Sequence, residues 1–176
     1  MTAARSLGLV HVITGPGKGK PTAAFGLAMR AAGHGLRVCV IQFMKTGQTT
    51  GEFSSAERLG IRISQFGSGK FIGKSGPTED DRVAATEAMS EARRLMASGA
   101  CDLLVLDEVN TAVHFGLVTV GEVLTAVRSR HQGVEVVLTG RNAPSEFLDA
   151  ADYVSEIDSV KHPYEKGQVA REGIEW

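Results

Sequence analysis

The chain has 176 residues, 43% of them apolar, and a formal net charge of −1. That length suits one domain with a proper core, and the near-neutral balance argues against a basic nucleic-acid binder or a charged disordered tail. No apolar run approaches the roughly 18 residues needed to span a membrane. Met1 to Gly8 also lacks the charged-then-apolar layout of a signal peptide, so the expectation is a cytoplasmic protein with neither nucleic acid nor membrane as a partner.

Taken in chain order, Leu9–Thr14 is an apolar strand that runs into a glycine-rich turn, Gly15-Pro16-Gly17-Lys18-Gly19-Lys20. Pro21–Ala32 is an Ala-rich helix, ended by Gly33-His34-Gly35 as glycine does past a helix C-terminus. Val38–Met44 is a second apolar strand, Glu52–Leu59 a short helix and Arg62–Phe66 a third, weaker strand. Gly67–Gly76, with four glycines and two lysines, is a loop long enough to be functional. Thr78 is the N-cap of a long helix reaching Ser98, with Glu79, Asp80 and Asp81 in its first turn. Leu103–Leu106 is a strand ending in Asp107-Glu108. A helix over Val120–Arg130, a strand over Val134–Thr139, a short helix over Ser145–Ala150 and a last strand over Tyr153–Ile157 follow. Continuous apolar strands imply burial on both faces, and short β-α repeats imply a mostly parallel sheet of about six strands with right-handed crossovers. The expected organisation is one α/β domain over residues 1–176, with a polar tail from Lys161 to Trp176 lying on its surface. Cys39 and Cys101, without C-x-x-C spacing, read as buried reduced thiols.

In such a sheet ligands bind at the carboxyl ends of the strands. The segments expected there are the glycine-rich loop, Gln42–Gly47, Gly67–Gly76, Asp107–Asn110 and Thr139–Asn142. The first is a phosphate loop in all but its last functional residue. Backbone N–H groups freed by Gly15, Gly17 and Gly19 form an anion nest at a helix N-terminus, and Lys18 and Lys20 add full charges. The pattern G-x-x-x-x-G-K-[ST] ends in a hydroxyl that ligates Mg²⁺. Here Thr14 replaces the first Gly and Pro21 the Ser or Thr. Pro21 suits a first helical turn but removes an N–H and a hydroxyl together, and it disfavours α geometry at Lys20. Thr22, one position on, is the candidate replacement hydroxyl.

Asp107-Glu108 reads as a carboxylate pair that holds Mg²⁺ beside the phosphate loop, or as the cap of a following helical turn. Lys45 and Arg141 at strand ends read either as ligand contacts or as surface charge. Arg30, late in the first helix, reads as a cofactor contact or as the partner of a local acid. His34 reads as a solvated turn residue and His114 as a packed one. Phe71 and Ile72 in the glycine-rich loop suggest a binding face.

The segments TGPGKGKPTAAFGLAMRAAGHG, VIQFMKTG, GKFIGKSGPTEDD, SGACDLLVLDEVNTAVHFGL, EVVLTGRNAP and KHPYEKGQVAREGIEW resemble the P-loop ATP:corrinoid adenosyltransferase family of the cobalamin pathway, also called cob(I)yrinic acid a,c-diamide adenosyltransferase. The resemblance runs from Thr14 to the C-terminus and implies a three-layer RecA-like fold, commonly a homodimer. It implies transfer of the 5′-deoxyadenosyl group of ATP to a Co(I) corrinoid, with release of triphosphate, a need for Mg²⁺ and a flavin-dependent or other reductase as electron donor. By position, Gly15 to Thr22 cradle the triphosphate, with Lys18 and Lys20 neutralising it. Glu108 contacts ribose or metal, supported by Asp107. The corrinoid lies against Phe43-Met44-Lys45 and the Gly67–Gly76 loop, where Phe71 and Ile72 displace the lower axial ligand. Where the family has Asp or Asn and then Thr, this chain has Pro16 and Pro21. A non-catalytic corrinoid carrier or regulator and a generic P-loop phosphotransferase are the alternative functions.

Overall fold

The computed structural model describes residues 7–47, 51–70, 72–73 and 75–174. Six strands form one sheet, β1 (Val10–Thr14), β2 (Val38–Phe43), β3 (Arg62–Phe66), β4 (Leu103–Asp107), β5 (Glu135–Thr139) and β6 (Tyr153–Glu156), in the spatial order β3-β2-β4-β5-β1-β6. All five pairings are parallel, so every strand presents its carboxyl end at one edge. The helices are α1 (Lys20–Gly33), α2 (Gly51–Arg58), α3 (Glu79–Ser98), α4 (Val109–His114), α5 (Val120–Arg128) and α6 (Ser145–Ala150). Within the described residues no helix is long and apolar enough to cross a membrane.

Alternation along the strands divides the core into two layers. Ile13, Val38, Val40, Leu103, Val105 and Val137 face α1 and α2. Val12, Ile41, Phe43, Leu104, Leu106 and Leu138 face α3 to α6 on the other side. Helix α1 seats Ala24, Ala28 and Ala31 on the sheet, a stripe of small side chains at helical spacing that brings its backbone close to the strands. The three layers follow from strands that are apolar on both faces.

Helix α3 begins as expected, with Thr78 as N-cap. The Asp81 carboxylate accepts the Thr78 N–H at 2.8 Å and the Thr78 hydroxyl at 2.7 Å, closing a capping box. It also accepts the Ser68 hydroxyl at 2.6 Å, which ties the Gly67–Gly76 loop to the helix. The Ser68 hydroxyl first, and then the Thr78 backbone N–H and hydroxyl, hold this carboxyl below its usual range. A group lowered in the fold adds stability above its unfolded value, near pH 4, and loses it as pH falls through the folded one. Asp81→Asn is therefore expected to cost about 1–2 kcal/mol at pH 7, with the difference from wild type closing below about pH 4. Urea denaturation at pH 7 and pH 3 measures both values, and an equal cost at the two would refute the assignment.

Cys39 and Cys101 are buried free thiols, as expected. The Cys101 thiol and the Arg62 guanidinium, whose Nη2 lies 3.0 Å from Cys39 Sγ, hold the Cys39 thiol below the usual range. His114 departs from expectation: it sits in the last turn of α4, exposed, with its ring tilted against Phe115 at 5.6 Å.

Candidate active site

The chain leaves β1 and β2 toward one face of the sheet and β3, β4 and β5 toward the other. The connections therefore part on either side of the β4–β5 pair, opening the crevice in which open α/β sheets bind ligands. Strand β5 lies between the phosphate-loop strand β1 and the Asp107 strand β4. Asp107 is thus one strand further from the loop than direct adjacency implies, and Thr139 at the end of β5 spans the gap. Its hydroxyl donates to Asp107 Oδ1 at 2.7 Å and accepts the Glu108 N–H at 3.0 Å.

The phosphate loop packs against the segment that follows β6. Gly17 N–H donates to Ile157 O at 2.7 Å, and Ile157 N–H donates to Thr14 O at 2.9 Å. A Cβ on Gly15 would lie 2.5 Å from Ile157 O, and one on Gly17 2.4 Å from Asp158 O. These glycines are required by close approach as well as by phosphate access. The expected nest has one amide, that of Gly17, already engaged. Thr14 is buried, and its hydroxyl accepts the Ala143 N–H at 3.2 Å, binding the end of β1 to the β5–α6 connection.

Lys20 is the first residue of α1 and Pro21 the second, where a missing N–H costs the helix nothing. The Lys20 ammonium is buried inside its own loop, donating to Gly15 O at 2.7 Å and Gly17 O at 2.6 Å. Desolvation lowers its pKa. Arg141 lowers it further, and the Glu108 carboxylate opposes both. Lys18 is exposed, and its ammonium donates to Ile174 O at 3.3 Å, linking the loop to the exposed tail.

Glu108 caps α4 with φ +64°, and its Oε2 accepts the Thr111 hydroxyl at 2.5 Å. The described non-glycine residues with positive φ are Met44, Glu108 and Asn142, which follow β2, β4 and β5 respectively. Backbone strain of this kind concentrates at binding and catalytic centres. Arg141 is exposed, its N–H donating to the Thr111 hydroxyl at 3.1 Å.

The other expected contacts are scattered. Arg30 is exposed in the last turn of α1, about 15 Å along the helix from Lys20. Thr22, the third residue of α1, is exposed and lines a cavity of about 430 Å³ with Phe25 and Met29 on α1, Ser55 on α2 and Leu59 just after it. Pro16 is exposed on the loop. Phe43 is fully buried in the core facing α3, because the last residue of β2 points inward, so it offers no surface to a corrinoid. Met44 and Lys45 are half-buried, and Ile72 packs its partly buried side chain against the core. Phe71 lies outside the described residues. Gln42 and Thr139, expected at the strand ends but given no role of their own, and Gln65 and Thr111, which sequence reasoning passed over, help to build the centre.

The fold resembles that of a KaiC-like protein from the hyperthermophilic archaeon Pyrococcus horikoshii OT3, with a TM-score of 0.53 at 13% identity over 86% of this chain and 72% of that one. This bears out the RecA-like P-loop expectation for the fold. The corrinoid adenosyltransferase of Escherichia coli (strain K12) is 37% identical over 169 residues, covering 96% of this chain and 86% of the relative. Corrinoid adenosyltransferase CobA of Salmonella typhimurium shows the same identity and coverage, and the Pseudomonas aeruginosa enzyme is 36% identical over 170 residues, with 96% of this chain and 84% of the relative covered. A model of the family ATP:corrinoid adenosyltransferase BtuR/CobO/CobP matches residues 6–176, and the chain belongs to that family.

Proposed function

We propose that this chain transfers the 5′-deoxyadenosyl group of ATP to the cobalt of a Co(I) corrinoid, cob(I)alamin or cob(I)yrinic acid a,c-diamide. The observation that carries this reading is the placement of Lys20 in the loop after β1, Glu108 after β4 and Arg141 after β5, all at the carboxyl edge of the sheet, in a chain matched by the family over residues 6–176. Cobalt(I) is the nucleophile. It attacks C5′, the Co–C bond forms, the C5′–O bond breaks, and triphosphate leaves with the electron pair. The protein supplies orientation and charge. Lys20 is released from Gly15 O and Gly17 O to the departing triphosphate, joined by Lys18 and Arg141, while Glu108 would contact the ribose or hold the metal. Met44, Lys45 and Ile72, with the Gly67–Gly76 loop, form the corrinoid face.

Glu108 and Asp107 supply the hard oxygen donors that suit Mg²⁺, which takes one or two carboxylates together with phosphates and water. When bound, Mg²⁺ offsets the charge of the triphosphate. Glu108 is half-buried and accessible for this role, whereas Asp107 already holds a lysine ammonium. The reading includes a single nucleotide-binding domain with a surface tail over 161–176, a cytoplasmic homodimer, and a flavin-dependent or other reductase as the source of electrons.

Chemically reduced corrinoid, ATP and Mg²⁺ test the reading together. The expected result is a light-sensitive adenosylated corrinoid and one triphosphate per product. Corrinoid binding without product would make the chain a carrier or regulator, and ADP formed without corrinoid would make it a phosphotransferase. Pro21 marks a second test. Restoring the hydroxyl and N–H in Pro21→Thr is expected to tighten Mg·ATP by about tenfold, the value of one charge-assisted donor. Unchanged ATP affinity and Mg²⁺ dependence in that variant would show that the proline is neutral.

A further inference from the structure

Asp107 is a fully buried carboxylate at the end of β4, and both its oxygens are in use. Oδ1 accepts the Thr139 hydroxyl at 2.7 Å, while Oδ2 accepts the Gln42 amide at 3.0 Å and the Lys45 ammonium at 2.8 Å. Gln42 is itself oriented by Gln65, whose Nε2 donates to Gln42 Oε1 at 2.9 Å. A carboxylate at this depth is tolerated only when hydrogen-bonded and paired, and Lys45 is the pairing cation. The backbone is shaped to deliver it. Met44 turns sharply out of β2 with φ +59°. The Met44–Lys45 peptide then crosses Gly67, where a Cβ would stand 2.6 Å from Lys45 N and from Met44 C. Yet the Lys45 side chain is 37% exposed and that of Asp107 0%. The arrangement is a partly exposed cation on a long stem, paired with a fully buried anion.

We infer that Lys45 is a tethered stand-in cation, which neutralises Asp107 in the metal-free protein and leaves it when a divalent cation arrives. The same carboxylate edge cannot serve both. A divalent cation bound there would sit within a few ångströms of the ammonium and repel it. Thr139 and Gln42 stay in place, because the Glu108 N–H and Gln65 hold them independently. The freed ammonium swings toward the solvent side of the strand ends, where the substrates lie. Cation binding and the presentation of Lys45 are then coupled, and the coupling is reciprocal. The inference rests on the divalent-cation requirement proposed above.

The probe is Mn²⁺ alone, titrated into the nucleotide-free full chain and followed by the electron paramagnetic resonance of free Mn²⁺. Lys45→Met is expected to bind Mn²⁺ about tenfold more tightly than wild type, because a competing charge is gone. Lys45→Arg keeps the charge and should resemble wild type. Lys45→Gln keeps a donor to Asp107 without the charge, so it reproduces the gain even if Lys45→Met folds poorly. Adding Asp107→Asn should abolish the gain. Equal Mn²⁺ affinity in wild type and Lys45→Gln overturns the inference, as does a gain that survives Asp107→Asn. Adenosyl transfer, assayed in parallel on wild type, separates the two readings. Tighter Mn²⁺ binding in a protein that transfers nothing defeats the proposed activity and leaves Lys45 in its role; transfer without the gain does the reverse.

Discussion

Gly17→Ala is expected to lower kcat/KM for adenosyl transfer by at least about a hundredfold while leaving the sheet folded. The added Cβ would lie 2.4 Å from Asp158 O, 2.7 Å from Asp158 C and 2.8 Å from Ile157 O, all backbone atoms of the segment after β6. No side-chain rotation relieves such contacts, so the loop must lift away from β6. The Gly17 N–H to Ile157 O bond is lost with it, and so are the positions of the two carbonyls that hold Lys20. Thermal stability should fall only modestly, because the disturbed atoms belong to a loop at the sheet edge, not to either core layer. Gly26→Ala is the control. It lies in α1, a Cβ there meets nothing within 4 Å, and replacing glycine inside a helix should stabilise by about 0.5–1 kcal/mol. If Gly17→Ala transfers adenosyl at the wild-type rate, the loop does not need its contact with β6.

Contiguous signals were legible in the sequence and long-range pairings were not. The apolar runs and glycine punctuation located all six strands within a residue or so at each end, and Thr78 with Asp81 marked the start of α3. The loop, Lys20 and Glu108 were legible because a phosphate site needs glycine, a cation and a carboxylate at fixed points along β-α units. Thr139 was invisible in its role, since its partners depend on β5 being inserted between β1 and β4. Gln65 looked like an incidental polar residue and Gln42 only like the start of a strand-end segment, and the parallel register that places Gln42 beside both Gln65 and Asp107 turns them into a relay. Phe43 was misjudged because alternation along β2 decides which face a side chain takes, and a continuous apolar run hides that alternation. Pro21 was recognisable as a departure, but the position of Thr22 on the outer side of α1 follows from helix phase in the folded state.

Lys20→Met is expected to reduce kcat by about 10²–10³-fold, the usual loss when one positioned charge donor is removed from a developing anion. The triphosphate gains charge as C5′ leaves it, so the ammonium is worth more in the transition state than in the ground state, and kcat falls more than ATP affinity. The structure adds a pH signature that distinguishes this role from a purely structural one. The proposed role needs Lys20 protonated. Burial lowers its pKa, Arg141 lowers it further and Glu108 raises it. The charged form is therefore present below the folded pKa, and kcat/KM for ATP declines as pH rises through a value below that of an ordinary lysine. Arg141→Gln removes one of the lowering influences, so its alkaline limb should move to higher pH even as its rate drops. Glu108→Gln removes the raising influence and should move the limb to lower pH. Opposite displacements in these two variants, with no such limb left in Lys20→Met, identify the ammonium as the titrating group. If the limb stays in place in all three, another group controls it, and Lys20 serves only to close the empty loop onto its own carbonyls.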